Sequence, residues 1–167
     1  MKAAVALICT VSLLALTRAA IAGDEGSAIP DSCPVTRATA ETRFSPPPPA
    51  RPIDPGSSRF WYGTDALYTS IASDGRWRGL ESPKGTRDKL FFYRKNAEWL
   101  MESPYQLKVT FRQLADTEPT FTVGRVTNAI MDKEIAMLIM LELPTRGCWE
   151  VTANYKNAHL SFVTWLD

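Results

Sequence analysis

Two of the three cysteines, Cys33 and Cys148, form the pair whose type and spacing promise chemistry most directly. Cys9 lies inside an apolar leader, and its removal leaves an even count, which in an exported chain is most simply one disulfide. A Cys33 to Cys148 bridge would close a loop of about 115 residues, worth on the order of 4 to 5 kcal/mol in the chain-entropy account. Two free thiols or a metal pair is the rival reading. A metal site would need further ligands, and the chain has a single histidine.

The remaining candidates are each weaker. His159 is the only base available for a hydrolase triad, and its place at the start of a strand makes an exposed strand-end residue the default. Paired carboxylates could hydrolyse a glycan, and Asp65, Asp74, Glu98, Glu102 and Glu150 are the acids to consider, although no motif singles any of them out. Met131, Met137 and Met140 with His159 could make a soft copper site, but methionines in an apolar run are usually core filler, so no metal is assigned. Nor does the chain carry a phosphate-cradling glycine loop, a zinc spacing or a calcium loop, so no cofactor is assigned. Aromatic residues crowd residues 60–99, and Trp61, Tyr62, Trp77 and Tyr93, near Arg76, Arg78 and Arg94, could form a platform for a sugar or peptidoglycan fragment. Strand aromatics are more often core or cross-strand pairs.

The elements that must position these groups read as short strands. In residues 147–155, Trp149, Val151, Ala153 and Tyr155 fall on one face and Cys148, Glu150, Thr152 and Asn154 on the other, a period of two. Cys148 therefore points away from the Trp149 face, and its bridge would tie the N-terminal arm to the outside of a sheet. A turn at Lys156-Asn157-Ala158 leads into a strand with bulk on both faces, Leu160, Phe162 and Leu166 against Val163 and Trp165, as expected where a strand is covered on each side. Residues 105–114 alternate with Leu107, Val109 and Phe111 inward. Further strands are expected at 60–63, 66–71, 77–80, 89–94 and 121–126, with a helical turn or two at 96–102. Residues 135–141 are apolar without alternation, as in a doubly covered strand or a short helix. Strands at roughly ten-residue spacing without a long helix predict an all-β fold, an immunoglobulin-like antiparallel β-sandwich, with a jelly roll as the runner-up.

The domain, at 59–167, is preceded by two segments. Residues 1–22 read as a signal peptide: a basic start at Lys2, an apolar run too short for a spanning helix, and the small-x-small site Ala20-Ile21-Ala22. An uncleaved anchor is the alternative. Residues 23–58 read as a proline-rich tether, since eight of the twelve prolines lie between Pro30 and Pro55, in a composition that holds itself extended. Loss of Lys2 and Arg18 leaves 17 basic residues against 18 acidic, so clustered phosphate binding, and with it nucleic acid, is not expected.

The run Pro144-Thr145-Arg146-Gly147-Cys148-Trp149-Glu150-Val151-Thr152, followed by Leu160-Ser161-Phe162-Val163, resembles the ending of a family of small secreted bacterial proteins of uncharacterised function. Cys33-Pro34-Val35-Thr36, Trp61-Tyr62-Gly63, Asp74-Gly75, the Lys89 to Arg94 segment and the Leu107 to Arg112 segment match in the same order. The resemblance implies the fold and the disulfide and brings no activity. The sequence thus reads as an exported, secreted or periplasmic, non-catalytic β-sandwich that binds an envelope protein or glycan or plays a structural role, with no membrane span once the leader is gone. A secreted carboxylate-dependent hydrolase acting on glycans is the alternative.

Overall fold

The computed structural model describes residues 28–46, 56–114, 120–123, 126–131 and 134–167. The leader and the prolines from Pro47 to Pro55 lie outside the described residues. Two sheets pack face to face. One carries β1 (Arg59–Thr64), β2 (Leu67–Ala72), β5 (Gly85–Tyr93), β9 (Glu134–Leu143) and β8 (Val126–Met131) in the order β1-β2-β5-β9-β8, with β4 (Leu80–Ser82) on the start of β5. The other runs β3 (Arg76–Trp77), β11 (Ala158–Leu166), β10 (Gly147–Tyr155), β6 (Lys108–Gln113) and β7 (Thr120–Val123). All pairings are antiparallel except the two-residue contact of β3 with β11. The architecture is the expected all-β sandwich, and one helical turn, α1 (Trp99–Glu102), interrupts it.

The core lies where the alternation places it. Trp149, Val151 and Ala153 of β10 are 0% exposed and face Phe111 and Val109 of β6 on the same sheet. Against them from the opposite sheet come Phe92 and Leu90 of β5 and Met137, Ile139, Leu141 and Leu143 of β9. The apolar run of β9 is a strand covered on its inner face, while Met140 on the outer face is 58% exposed. The β10 to β11 hairpin closes with Tyr155 opposite Ala158, so the turn is Lys156-Asn157, one residue shorter than expected. Val163 and Trp165, on the outer face of β11, are half-buried as their bulk required.

What covers them is the arm. The Cys33–Cys148 disulfide is present, with a Cα–Cα separation of 5.6 Å, on the face of β10 opposite Trp149. From there the chain crosses β11. The Thr36 amide donates to the Val163 carbonyl at 2.8 Å, and the Val163 amide donates to Thr36 Oγ1 at 3.0 Å. Ala38 then packs on the core, and the Phe44 amide donates to the Trp61 carbonyl of β1 at 2.9 Å. The segment therefore spans from the edge of one sheet to the edge of the other. This corrects the reading of 23–58 as a spacer over residues 33–44, which form a clasp. Composition misled because the fasteners are backbone groups, one hydroxyl and one small side chain.

A turn after β2 holds the middle of this clasp. The Gly75 carbonyl accepts from the Trp165 amide at 2.9 Å and from Thr164 Oγ1 at 3.1 Å. Gly75 has φ +74°, and a Cβ there would meet Val35 at 2.7 Å. Gly75→Ala should therefore cost about 1 to 2 kcal/mol in urea unfolding, and adding Val35→Ala should restore only the steric part. An alanine variant as stable as its parent would show that the arm does not press on this turn.

Candidate functional site

The four aromatic residues expected to form a platform do not meet. Tyr62 points into the interior, where its hydroxyl donates to the Ser161 carbonyl at 2.9 Å and its ring packs edge-on against Phe60 and Phe162. Trp77, 7% exposed, sits between the sheets near Phe111, its indole N–H donating to Asp88. Of the four, Trp61 and Tyr93 alone come together, 5.4 Å apart edge to face on the outer side of the first sheet, where Tyr68 completes a triangle of rings, stacked on Tyr93 at 5.6 Å, and Phe44 of the clasp lies 5.2 Å from Tyr68. Consecutive strand residues point to opposite faces, so a platform using both Trp61 and Tyr62 was incompatible with β1 from the start.

The soft-metal constellation separates in the same way. Met137 is buried in the core while Met140 faces out, and His159 is exposed on the other sheet, its Nδ1 3.0 Å from Asn154 Oδ1. The Met131 side chain lies outside what is described. Among the described residues no three His, Cys, Asp or Glu side chains gather as metal ligands.

The five acids sit on different elements, and four of them are held by cations. Asp65 lies 3.5 Å from Lys95, Asp74 2.7 Å from Arg78, and Glu150 2.8 Å from Arg112. Glu102 is the most enclosed, with its side chain 8% exposed. Both its oxygens receive the Arg94 guanidinium, the Tyr155 hydroxyl donates to one of them, and Lys156 Nζ stands 3.3 Å away. The Arg94 hydrogen bonds outweigh burial, and with help from Tyr155 and Lys156 they hold the carboxyl down to about 2. Burial, followed by the bond to Glu102, pushes the Tyr155 phenol upward. A glycosidase general acid needs the opposite environment, one that raises its pKa toward working pH. Glu98, the nearest acid in sequence, offers its backbone amide to Glu102 at 3.4 Å.

A further cluster of charged and polar groups lies at the seam where β1 and β3 form neighbouring edges of the two sheets. An open cleft of about 310 Å³ there is lined by Ser58, Arg59, Ala72, Ser73, Asp74, Arg76 and Arg78. Arg76 and Arg78 engage Asp167, and Arg78 engages Asp74 as well, whose Oδ1 also accepts the Arg76 amide at 2.9 Å. Arg59 is different. Its Nε donates to Ser70 Oγ at 3.2 Å and one terminal nitrogen to the Ser70 carbonyl, and no carboxylate of the described residues lies within ion-pair distance. Ser73 Oγ is buried without a hydrogen-bond partner. A second open cleft, about 410 Å³, shares Arg59 and adds Arg43, Phe44, Ser45, Gly56, Phe60 and Trp61, with the Arg43 guanidinium 5.9 Å from the centre of the Phe60 ring. Sequence reasoning singled out Arg76, Arg78 and Asp74 but not Arg59 or Ser73, because Arg59 comes from the start of β1 and meets the others only in the closed sandwich. The Arg76-Trp77-Arg78 triplet was the only local signal of the cluster.

The disulfide fits an extracytoplasmic location, and no helix among the described residues is long and apolar enough to cross a membrane. The chain matches no protein family, no curated protein and no solved structure.

Proposed function

We propose that this is an exported, non-catalytic β-sandwich protein that binds a partner in the cell envelope or outside the cell. The observation that carries the reading is the contrast between its charged groups. Four of the five candidate carboxylates are spent on cations, the most enclosed of them held ionised, while Arg59 in the seam has no carboxylate of the described residues within ion-pair distance and feels Asp88 only from farther off. A surface of that kind recognises ligands and offers no general acid. The disulfide supports the address, since such bridges persist where the surroundings are oxidising.

The test is protein recovered from an exporting host. Intact mass after alkylation without reductant should begin at Gly23 with no thiol labelled, and incubation with a panel of polysaccharides should release no new reducing ends. Full-length protein with labelled thiols would overturn the address. Turnover of any glycan would overturn the non-catalytic reading and favour a hydrolase.

A further inference from the structure

We propose that the seam between β1 and β3 binds an oxyanion, a carboxylate or phosphate carried by a ligand of monosaccharide size, with Arg59 as its principal contact. The inference rests on the binding reading above and names the chemistry of that site. A guanidinium carries five N–H donors. Arg59 gives two of them to Ser70, and no other hydrogen-bond acceptor among the described residues takes the rest. Such a group pairs most strongly with a planar or tetrahedral oxyanion, through parallel charge-assisted hydrogen bonds. Three arginines line the cleft; Asp74 and the neighbouring Asp167 engage Arg76 and Arg78, whereas the carboxylate that acts on Arg59, Asp88, stands beyond ion-pair distance and leaves the guanidinium edge open to a closer anion.

Ser73 Oγ is the second, independent observation. A buried hydroxyl without a partner is costly, and a native structure that keeps one near a cleft generally has a use for it. Ser73 lines the same cleft, and its amide donates to the Ser58 carbonyl at 2.8 Å, which fixes the backbone beside Arg59. A cleft of about 310 Å³ is at the lower end of small-ligand sites and suits one sugar-sized unit. Asp74 remains in the lining, but Arg78 and the Arg76 amide already occupy its oxygens and reduce its repulsion of an anion.

Titration calorimetry on the mature, oxidised protein at neutral pH and low salt tests this, with inorganic phosphate, galacturonate and neutral galactose as probes. At least one anion should bind saturably and galactose should not; which anion binds identifies the source of the oxyanion. Arg59→Gln should weaken binding at least tenfold, and Ser73→Ala about threefold or more, whereas Arg112→Gln on the outer face of the other sheet should leave it unchanged. No saturable binding of either anion overturns the proposal, as does equal binding of galactose. Should Arg59→Gln fail to fold, parental affinity in Ser73→Ala overturns it alone. A protein that is exported and inert toward glycans but blind to both anions loses only this inference, whereas glycan turnover would sink the non-catalytic reading and leave the Arg59 effect measurable.

Discussion

Removing the Cys33–Cys148 bridge should lower stability by about 5 kcal/mol, the largest effect expected of any local change in this chain. The bond joins residues 115 apart, and closing a loop of that length removes most of the freedom of the unfolded arm relative to the last hairpin. At roughly 2 to 4 °C per kcal/mol in a domain near this size, the melting temperature should fall by about 10 to 20 °C on reduction. Cys148→Ala and the double variant with Cys33→Ala should fall equally, because a lone thiol restores nothing. The native arm is held by more than sulfur. Thr36 bonds twice to Val163, and Arg37 donates to the Asp74 carbonyl at 2.8 Å. Hydrogen exchange at the Val163 amide should accordingly stay protected in the folded, reduced protein. An unchanged melting curve would rule out the bridge as a stabiliser. An unprotected Val163 amide at full native fold would mean that the clasp depends wholly on the disulfide.

The hairpin that carries Cys148 was legible because a period of two over nine residues leaves one arrangement. Trp149, Val151, Ala153 and Tyr155 had to share a face, and all are buried. β6 was legible for the same reason. β8 was not, since Val126-Thr127-Asn128 has no apolar alternation and its pairing is dictated by β9 beside it. The stretch 77–80, read as one strand, divides: Trp77 pairs with β11 in one sheet and Leu80 with β5 in the other. A chain that changes sheets across Arg78-Gly79 leaves no periodic trace. The clasp and the arginine cleft share a deeper cause of illegibility. Each gathers residues far apart in sequence, Thr36 with Val163 and Arg59 with Ser73 and Arg78, and only the closed sandwich makes them neighbours.

Glu102→Ala should cost on the order of 3 kcal/mol, and the acid limb of the stability profile should report the same carboxylate. With its carboxyl held at about 2, against about 4.5 for an unperturbed group, Glu102 binds its proton more readily in the unfolded chain than in the folded one. Its contribution is therefore complete above pH 4.5 and is lost as pH falls from there toward 2. A difference of this size corresponds to roughly 3 kcal/mol, which the open side of Arg94 and Lys156 brings down to about 2 to 3. Alanine removes the acceptor for both Arg94 and the Tyr155 hydroxyl, so it leaves buried donors unpaired beyond the lost charge. Tyr105, 6% exposed and 6.3 Å from the Tyr155 ring, already has an unpartnered hydroxyl in this pocket, so the neighbourhood has no spare acceptor. Glu102→Gln keeps an acceptor without the charge and should cost less than alanine at pH 7. Its stability between pH 4.5 and 2.5 should then fall less steeply than the parent's. Urea midpoints across that range distinguish the cases. Parallel pH profiles for parent and Glu102→Gln would mean that another carboxylate governs acid unfolding, and a neutral Glu102→Ala would mean that α1 is not latched to the β10 to β11 turn through this side chain.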